Sequence, residues 1–276
     1  MKKFIFIFVI LLIILLTGYF IWPKASSLAN QAIDLKNKLV INDKNSFSFI
    51  VFGDNEGDNN VFQEIIKRVQ ESDAKFVIDT GDLTSSSKED EFNSVKKRFE
   101  QLKIPYYTTV GNNDIYGDKE RNLYKKYFGQ TYYSFDYEYA HFIVLDNADR
   151  KVGFDENQLE WLSNDLQKNE QKFTLIFYHR PFNLPFSNLT GDDETTASRQ
   201  SNQKFLDIIK SYKIDQIYNG HLHLYFTYSL ENTPVIISGG GGAKPQSILG
   251  GEESANYHYI KVTVTESGIE NELIEL

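Results

Sequence analysis

The chain has no cysteine among its 276 residues. That excludes disulfides, thiolate metal sites and a cysteine nucleophile, so stability must come from a buried core and any metal must be held by oxygen and nitrogen. Basic residues are the next shortage. The 29 Lys and Arg face 38 Asp and Glu, and the resulting net charge of −9 is a poor surface for nucleic acid, which normally meets a basic face. No solenoid period, domain linker or low-complexity tract is present beyond Gly239-Gly240-Gly241-Gly242. No Gly-Lys-Ser/Thr follows those glycines, so they read as a flexible loop between two strands rather than a phosphate cradle.

The composition, 41% hydrophobic and 24% charged, is that of a globular protein long enough for a sizeable core. Met1 to Trp22 is unlike the rest. Lys2 and Lys3 precede an uncharged run, Phe4 to Trp22, that ends in Tyr19, Phe20 and Trp22. The run is about the length that crosses a bilayer, with lysines suited to the cytoplasmic side and aromatics to the interface. It is longer than a signal h-region of ~7–15 residues. The expectation is a single-pass signal anchor at 1–22, in preference to a signal peptide cleaved near Ser27-Leu28-Ala29, then a stalk at 23–45 and a folded domain at 46–276 on the outer side of the cell membrane.

From Phe47 onward, apolar runs end in polar clusters. Phe47–Phe52 leads into Gly53-Asp54-Asn55-Glu56, Phe76–Ile78 into Asp79-Thr80-Gly81-Asp82, and Tyr106–Val110 into Gly111-Asn112-Asn113-Asp114. Later, Phe173–Tyr178 runs into His179-Arg180-Pro181, and Ile214–Ile217 leads to Tyr218-Asn219-Gly220-His221-Leu222-His223. Helical spacing separates these runs, as at Ile65, Ile66, Val69 and at Leu159, Leu162, Leu166. Strands alternating with helices indicate a layered α/β fold, where ligands sit at the carboxyl ends of strands. Asn183 to Asn202 reads as a loop facing substrate. His141 and His258 lie on strands and read as structural, and Asp79 as a cap.

The clusters offer carboxylates, amides and imidazoles only, a donor set suited to Mn, Fe or Zn. Six or seven ligands exceed the needs of one ion. Two ions bridged by a carboxylate account for them, and such a pair can clamp a phosphate and activate a water.

In this order and spacing the clusters resemble the calcineurin-like metallophosphoesterases. The resemblance rests on Asp54-Asn55-Glu56, Gly81-Asp82, Gly111-Asn112-Asn113-Asp114, His179 and Gly220-His221-Leu222-His223, spread over residues 47–223. It implies a four-layer α-β-β-α sandwich with two facing mixed sheets. It also implies two divalent metal ions with Asp82 bridging, Asp54 and His223 on the first, and Asn112, His179 and His221 on the second. A phosphorylated small molecule would be the substrate, attacked in line by a bridging hydroxide. Asn112, Asn113 and Arg180 would contact it, and Asn113 and Asp114 would occupy the catalytic positions.

Two departures from the family pattern matter. Glu56 stands where Asp-x-His is usual. Either it ligates, with altered affinity, or it points away and leaves the first ion weakly held. Asn113 stands where the family has the histidine that protonates the leaving group, and an amide cannot act as that acid, although it can hydrogen-bond a phosphoryl oxygen. General acid catalysis is worth ~10²–10⁴-fold, so alkyl monoesters suffer more than aryl esters or anhydrides. The alternative class is a catalytically impaired domain that binds a phosphorylated ligand or a partner protein.

Overall fold

Strand alternation sorts the aromatic and β-branched residues of this chain between two layers. In the computed structural model of the protein, residues 46–184, 195–247 and 255–276 are described. In chain order the elements are β1 (Phe47–Phe52), α1 (Asn60–Glu71), β2 (Val77–Asp79), α2 (Glu89–Phe99), β3 (Tyr106–Thr108), a 3₁₀ turn (Asn113–Ile115) and α3 (Asn122–Phe128). Then come β4 (Tyr133–Tyr137), β5 (Ala140–Val144), α4 (Glu156–Lys168), β6 (Phe173–Phe177), α5 (Thr196–Ile209), β7 (Gln216–Asn219), β8 (Tyr225–Leu230), β9 (Thr233–Ser238), β10 (His258–Thr265) and β11 (Gly268–Glu275).

They form two mixed sheets, of order β11-β10-β1-β2-β3 and β4-β5-β6-β7-β9-β8. On β1, successive side chains point to opposite faces. Phe47, Phe49 and Val51 enter the layer between the sheets, while Ile50 and Phe52 pack against α1 and α2. On the second sheet, Phe142, Leu175 and Phe177 face the first sheet, while Ile143 and Ile176 meet Leu159, Leu162 and Leu166 of α4 and Phe205 of α5. The layers are therefore helix, sheet, sheet, helix, as the resemblance implies. Phe142 sits edge-on to Phe49 of β1 and to Phe76, the residue before β2, at 5.3 and 5.2 Å. Each such ring removes roughly 1.5–3 kcal/mol worth of apolar surface from water.

Contacts divide the described residues into one unit of Phe47–Val264 with Ile269–Leu276 and another that holds Ser46 and Thr265–Gly268. In the second, the Thr265 hydroxyl accepts from the amides of Ser267 and Gly268 at 3.1 and 3.2 Å.

Three expectations change. The segment read as a loop from Asn183 to Asn202 is helical from Thr196, capped by the Thr195 side chain on the Ser198 amide. The apolar positions that fix this helix, Phe205, Leu206 and Ile209, come late in it, so its polar first turns resemble a loop. The terminal strand β11 was not expected. Its exposed edge position gives it the pattern Gly-Ile-Glu-Asn-Glu-Leu-Ile-Glu, which lacks a buried run. The glycine run packs rather than flexes, for reasons given below. The anchor and stalk expected at 1–22 and 23–45 lie outside the described residues. Among the described residues no helix is long and apolar enough to cross a membrane.

Candidate metal centre

Strands β1, β2 and β3 run parallel, as do β5, β6, β7 and β9, and the polar clusters follow their carboxyl ends. Backbone bonds tie the cluster loops to one another. The amides of Asp54, Glu56 and Gly57 donate to the carbonyls of Gly81, Asp82 and Leu83 at 2.8, 2.9 and 2.8 Å. The His221 amide donates to both carboxylate oxygens of Asp54 at 2.9 Å, which joins the loop after β1 to the loop after β7 in the other sheet. Behind Asp54, Gly241 and Ala243 donate to the carbonyls of Gly53 and Asp54 at 2.9 and 2.7 Å. A Cβ at Gly241 would stand 2.4 Å from the Gly53 oxygen, and one at Gly240 2.2 Å from a ring nitrogen of His258. Close approach, not mobility, is why those positions are glycine.

Four of the expected ligands have left-handed backbones: Asp54 (φ 61°), Glu56 (47°), Asp82 (56°) and His221 (72°). Such conformations cost of order 1–3 kcal/mol each for residues other than glycine and gather where function requires them. Here the loop-to-loop hydrogen bonds hold them. Gly111 completes the interlock, since a Cβ there would lie 2.0 Å from the Asp82 nitrogen.

The structure brings Asp82, His179 and His221 together, their ligand atoms all within 4.8 Å of one another. His179 is fully buried. Its Nδ1 lies 2.9 Å from the Thr80 carbonyl, to which only an N–H can donate, and its Nε2 faces Asn112 Oδ1 at 3.1 Å and Asp82 Oδ1 at 3.4 Å. Arg180 Nη1 donates to the same Asn112 oxygen at 3.1 Å, which fixes the amide with its oxygen toward His179. The Nε2 atom is therefore aimed at two acceptors, an arrangement that requires a cation, whether a proton or a metal, between them. A second group lies alongside. His223 Nδ1 meets the Lys244 carbonyl at 3.2 Å, and its Nε2 faces Asp54 Oδ1 at 3.7 Å and Glu56 Oε1 at 3.9 Å. Those gaps are too long for hydrogen bonds, yet shorter than two metal–ligand bonds of roughly 2.1 Å laid end to end. Backbone carbonyls on the outer ring nitrogens are the usual support of metal-ligating histidines.

Charge tells the same story. Burial, reinforced by Asp82 and Glu56, holds the Asp54 carboxyl well above the usual carboxylate range, against the opposing pull of His179 and the His221 amide. Burial also raises Glu56, with Asp82 adding to it while His223 and Asn113 oppose. At Asp82 burial pushes upward, but His179, His221 and the Asn113 amide outweigh it and hold the carboxyl low. His179 is the mirror image, raised by Asp82 and Asp54 despite its burial. Carboxylates crowded into a buried cleft against imidazoles fit divalent cations, which relieve their mutual repulsion.

Asn113 and Asp114 differ from expectation. The Asn113 side chain donates to Glu56 Oε1 at 3.0 Å and accepts from Asn112 Nδ2 at 3.0 Å, while its backbone N–H donates to Asp82 Oδ1 at 2.7 Å. Asp114, placed among the catalytic positions above, is wholly buried and accepts from the amides of Gly111, Leu83 and Thr84 and from the Thr84 hydroxyl, at 2.8–3.2 Å. It is a strut between the Leu83-Thr84 and Gly111 loops, and those amides explain why a carboxylate can be buried there. Burial and the charge of Asp82 still raise it to about 7. Asp79 caps its loop through the Gly81 amide at 2.9 Å. The supporting carbonyls of Thr80 and Lys244 carry no side-chain signal by which the sequence could reveal them.

Paired sheets whose facing strand ends deliver carboxylates, an amide and imidazoles to one cleft define a metal-dependent phosphoesterase architecture. The sequence profile of the calcineurin-like phosphoesterases matches residues 47–225, and the chain belongs to that family. It is 28% identical over 117 residues to a probable glycerophosphodiester phosphodiesterase of Arcobacter nitrofigilis, covering 38% of this chain and 41% of that protein. It is 25% identical over 173 residues to purple acid phosphatase 15 of Arabidopsis thaliana, covering 53% and 31%. Less than half of each of these curated relatives is spanned. The fold also matches a purple acid phosphatase from yellow lupin seeds, with a TM-score of 0.66 and 19% identity over 83% of this chain and 51% of that one.

Proposed function

We propose that the chain hydrolyses phosphate esters or anhydrides with two divalent metal ions, Mn, Fe or Zn, held by Asp54, Glu56, Asp82, Asn112, His179, His221 and His223. The observation that carries this reading is the paired aim of His179 and His223. Each has a backbone carbonyl at Nδ1 and points Nε2 at oxygen acceptors inside the cleft.

Ions bound there would supply charge neutralisation for a phosphoryl group and would lower the pKa of a coordinated water. The chain's own residues do the rest. Arg180, whose Nη1 reaches Asn112, lies beside the centre and offers a planar cation to phosphoryl oxygens. Asp114 fixes the Asn112-Asn113 loop relative to Asp82. Asn113 donates no proton to a leaving group, so good leaving groups are favoured by about 10²-fold or more over alkyl monoesters.

The reading places residues 1–22 in the cell membrane and the domain outside it, on the strength of the lysine-flanked apolar run. Protection of the domain from externally added protease in intact cells would remove that placement.

The test uses the full chain, stripped of metal and refilled with manganese, on p-nitrophenyl phosphate and bis-p-nitrophenyl phosphate. The diester arm is prompted by the name of the Arcobacter relative. Metal-dependent turnover is expected. Two bound ions without turnover on any substrate would favour the binding-domain reading, which the engaged Asn113 amide supports.

A further inference from the structure

The two places where the sequence departs from the family pattern, Glu56 and Asn113, lie 57 residues apart in the chain and touch: Asn113 Nδ2 donates to Glu56 Oε1 at 3.0 Å. That bond ends a relay of fixed direction. Arg180 Nη1 donates to Asn112 Oδ1 at 3.1 Å, Asn112 Nδ2 donates to Asn113 Oδ1 at 3.0 Å, and Asn113 Nδ2 donates to Glu56. Because arginine only donates and a carboxylate only accepts, both amides are oriented without ambiguity. The backbone N–H of Asn113 meanwhile donates to Asp82, so this residue reaches carboxylates of both halves of the centre.

Glu56 needs such a partner. Its side chain is 29% exposed, against 0% for His179 and Asp54, and a glutamate has more freedom to turn toward solvent than the shorter aspartates beside it. With the Asn113 bond made, Oε1 stays 3.9 Å from His223 Nε2 and on the side of Asp54.

We propose, building on the two-ion reading above, that Asn113 is a positioning residue that holds Glu56 as a ligand of the outer half of the centre. That half then presents the carboxylates of Asp54 and Glu56 with one imidazole, beside the shared Asp82, whereas the inner half presents two imidazoles and an amide. Oxygen-rich sites suit hard cations and imidazole suits zinc, so the relay tilts the outer half toward Mn²⁺ relative to the inner half.

The experiment is titration of the metal-stripped full chain with Mn²⁺, read by loss of the free-ion EPR signal, and with Zn²⁺, read by calorimetry. The variants are Asn113→Ala, Glu56→Gln, the two combined, and Asn113→His, which keeps a donor. Melting in chelator identifies any variant that has lost its fold, and the isosteric Glu56→Gln keeps the comparison usable if Asn113→Ala is among them. Asn113→Ala and Glu56→Gln are each expected to weaken one Mn²⁺ site about 10–100-fold, the scale of lost support around a metal ligand. The other site should keep its Zn²⁺ affinity. The double variant should bind no more weakly than Glu56→Gln alone, and Asn113→His should recover part of the loss. Mn²⁺ affinity within about twofold of wild type in Asn113→Ala, or additive losses in the double variant, would overturn the proposal. Fewer than two Mn²⁺ per wild-type chain would remove the two-ion reading itself, and the proposal with it.

Discussion

His141 and His179 are both set against carboxylates, yet their surroundings are opposite in design. His141 lies between Asp136 and Asp165, with ring nitrogens 2.6 and 2.8 Å from their oxygens. Both nitrogens share a proton with a carboxylate, and no space remains between the partners. His179 instead gives Nδ1 to a backbone carbonyl and keeps Nε2 at 3.4 Å from Asp82, with the Asn112 oxygen opposite. A histidine–carboxylate pair that closes on itself is a structural bridge. One held slightly apart by loops with left-handed residues is a receptacle for a cation.

The largest effect that can sharpen this comparison is at Asp82. Asp82→Asn is expected to empty both halves of the centre and lower turnover by more than the ~10–100-fold typical of a supporting residue, whereas Asp165→Asn should leave metal content unchanged. Metal analysis of the two purified variants is the check, and equal metal loss in both would break the distinction.

Chelation comes next. A ligand at about 100 times its Kd stabilises a fold by ~2.7 kcal/mol, which for a domain of this size shifts Tm by roughly 5–10 °C. Calorimetry should show that drop with chelator in the wild type and in His141→Gln alike. An unchanged wild-type Tm would remove the cation from the account of His179.

Acidity separates the two histidines further. The Asp165 and Asp136 carboxylates raise the His141 pKa against the effect of its burial. Its stabilisation is thus fully present below the unfolded value of about 6.5 and is lost as pH rises through the folded value. His141→Gln should cost about 1.5–3 kcal/mol in mild acid, the range for hydrogen bonds to charged groups, and less in alkali, as read from urea midpoints. His179, raised to about 9 by Asp82 against its burial, holds a proton at neutrality in the metal-free protein. Metal uptake must release it, so calorimetric heats should vary with the ionisation enthalpy of the buffer. Heats independent of the buffer would contradict this smallest of the expected effects.

Much of this was legible in the sequence because the fold writes its polar clusters in a fixed place. Each parallel strand is an apolar run followed at once by its polar cluster, so the candidate residues Asp54, Asp82, Asn112, His179 and His221, which the structure brings to one cleft, could be picked out, and α4 could be bounded at Glu156–Lys168. What failed did so for local reasons. Helix α5 opens with Thr-Ala-Ser-Arg-Gln-Ser-Asn, which reads as a loop because its buried positions, Ser198, Ser201 and Asn202, are polar, Ser201 bonding the Phe154 backbone. Asp114 carries the same letter as a catalytic carboxylate, and only its four donors reveal a strut. The contact between Glu56 and Asn113 could not be read from two separate motifs, because nothing in the spacing says which side chains meet across loops.

The packing of Gly240 and Gly241 has a consequence for how this protein can drift. These residues carry no side chain and lie far along the chain from Asp54, yet the Gly241 amide donates to the Gly53 carbonyl beside it, and the Gly240 carbonyl accepts from the His258 amide. A methyl group at Gly241 would press on the carbonyl of Gly53. The set of positions where the sequence is not free to vary is thus wider than the set of candidate ligands. A survey of tolerated substitutions across the gene should show a second trough of intolerance at Gly240 and Gly241, far along the chain from the loop it protects.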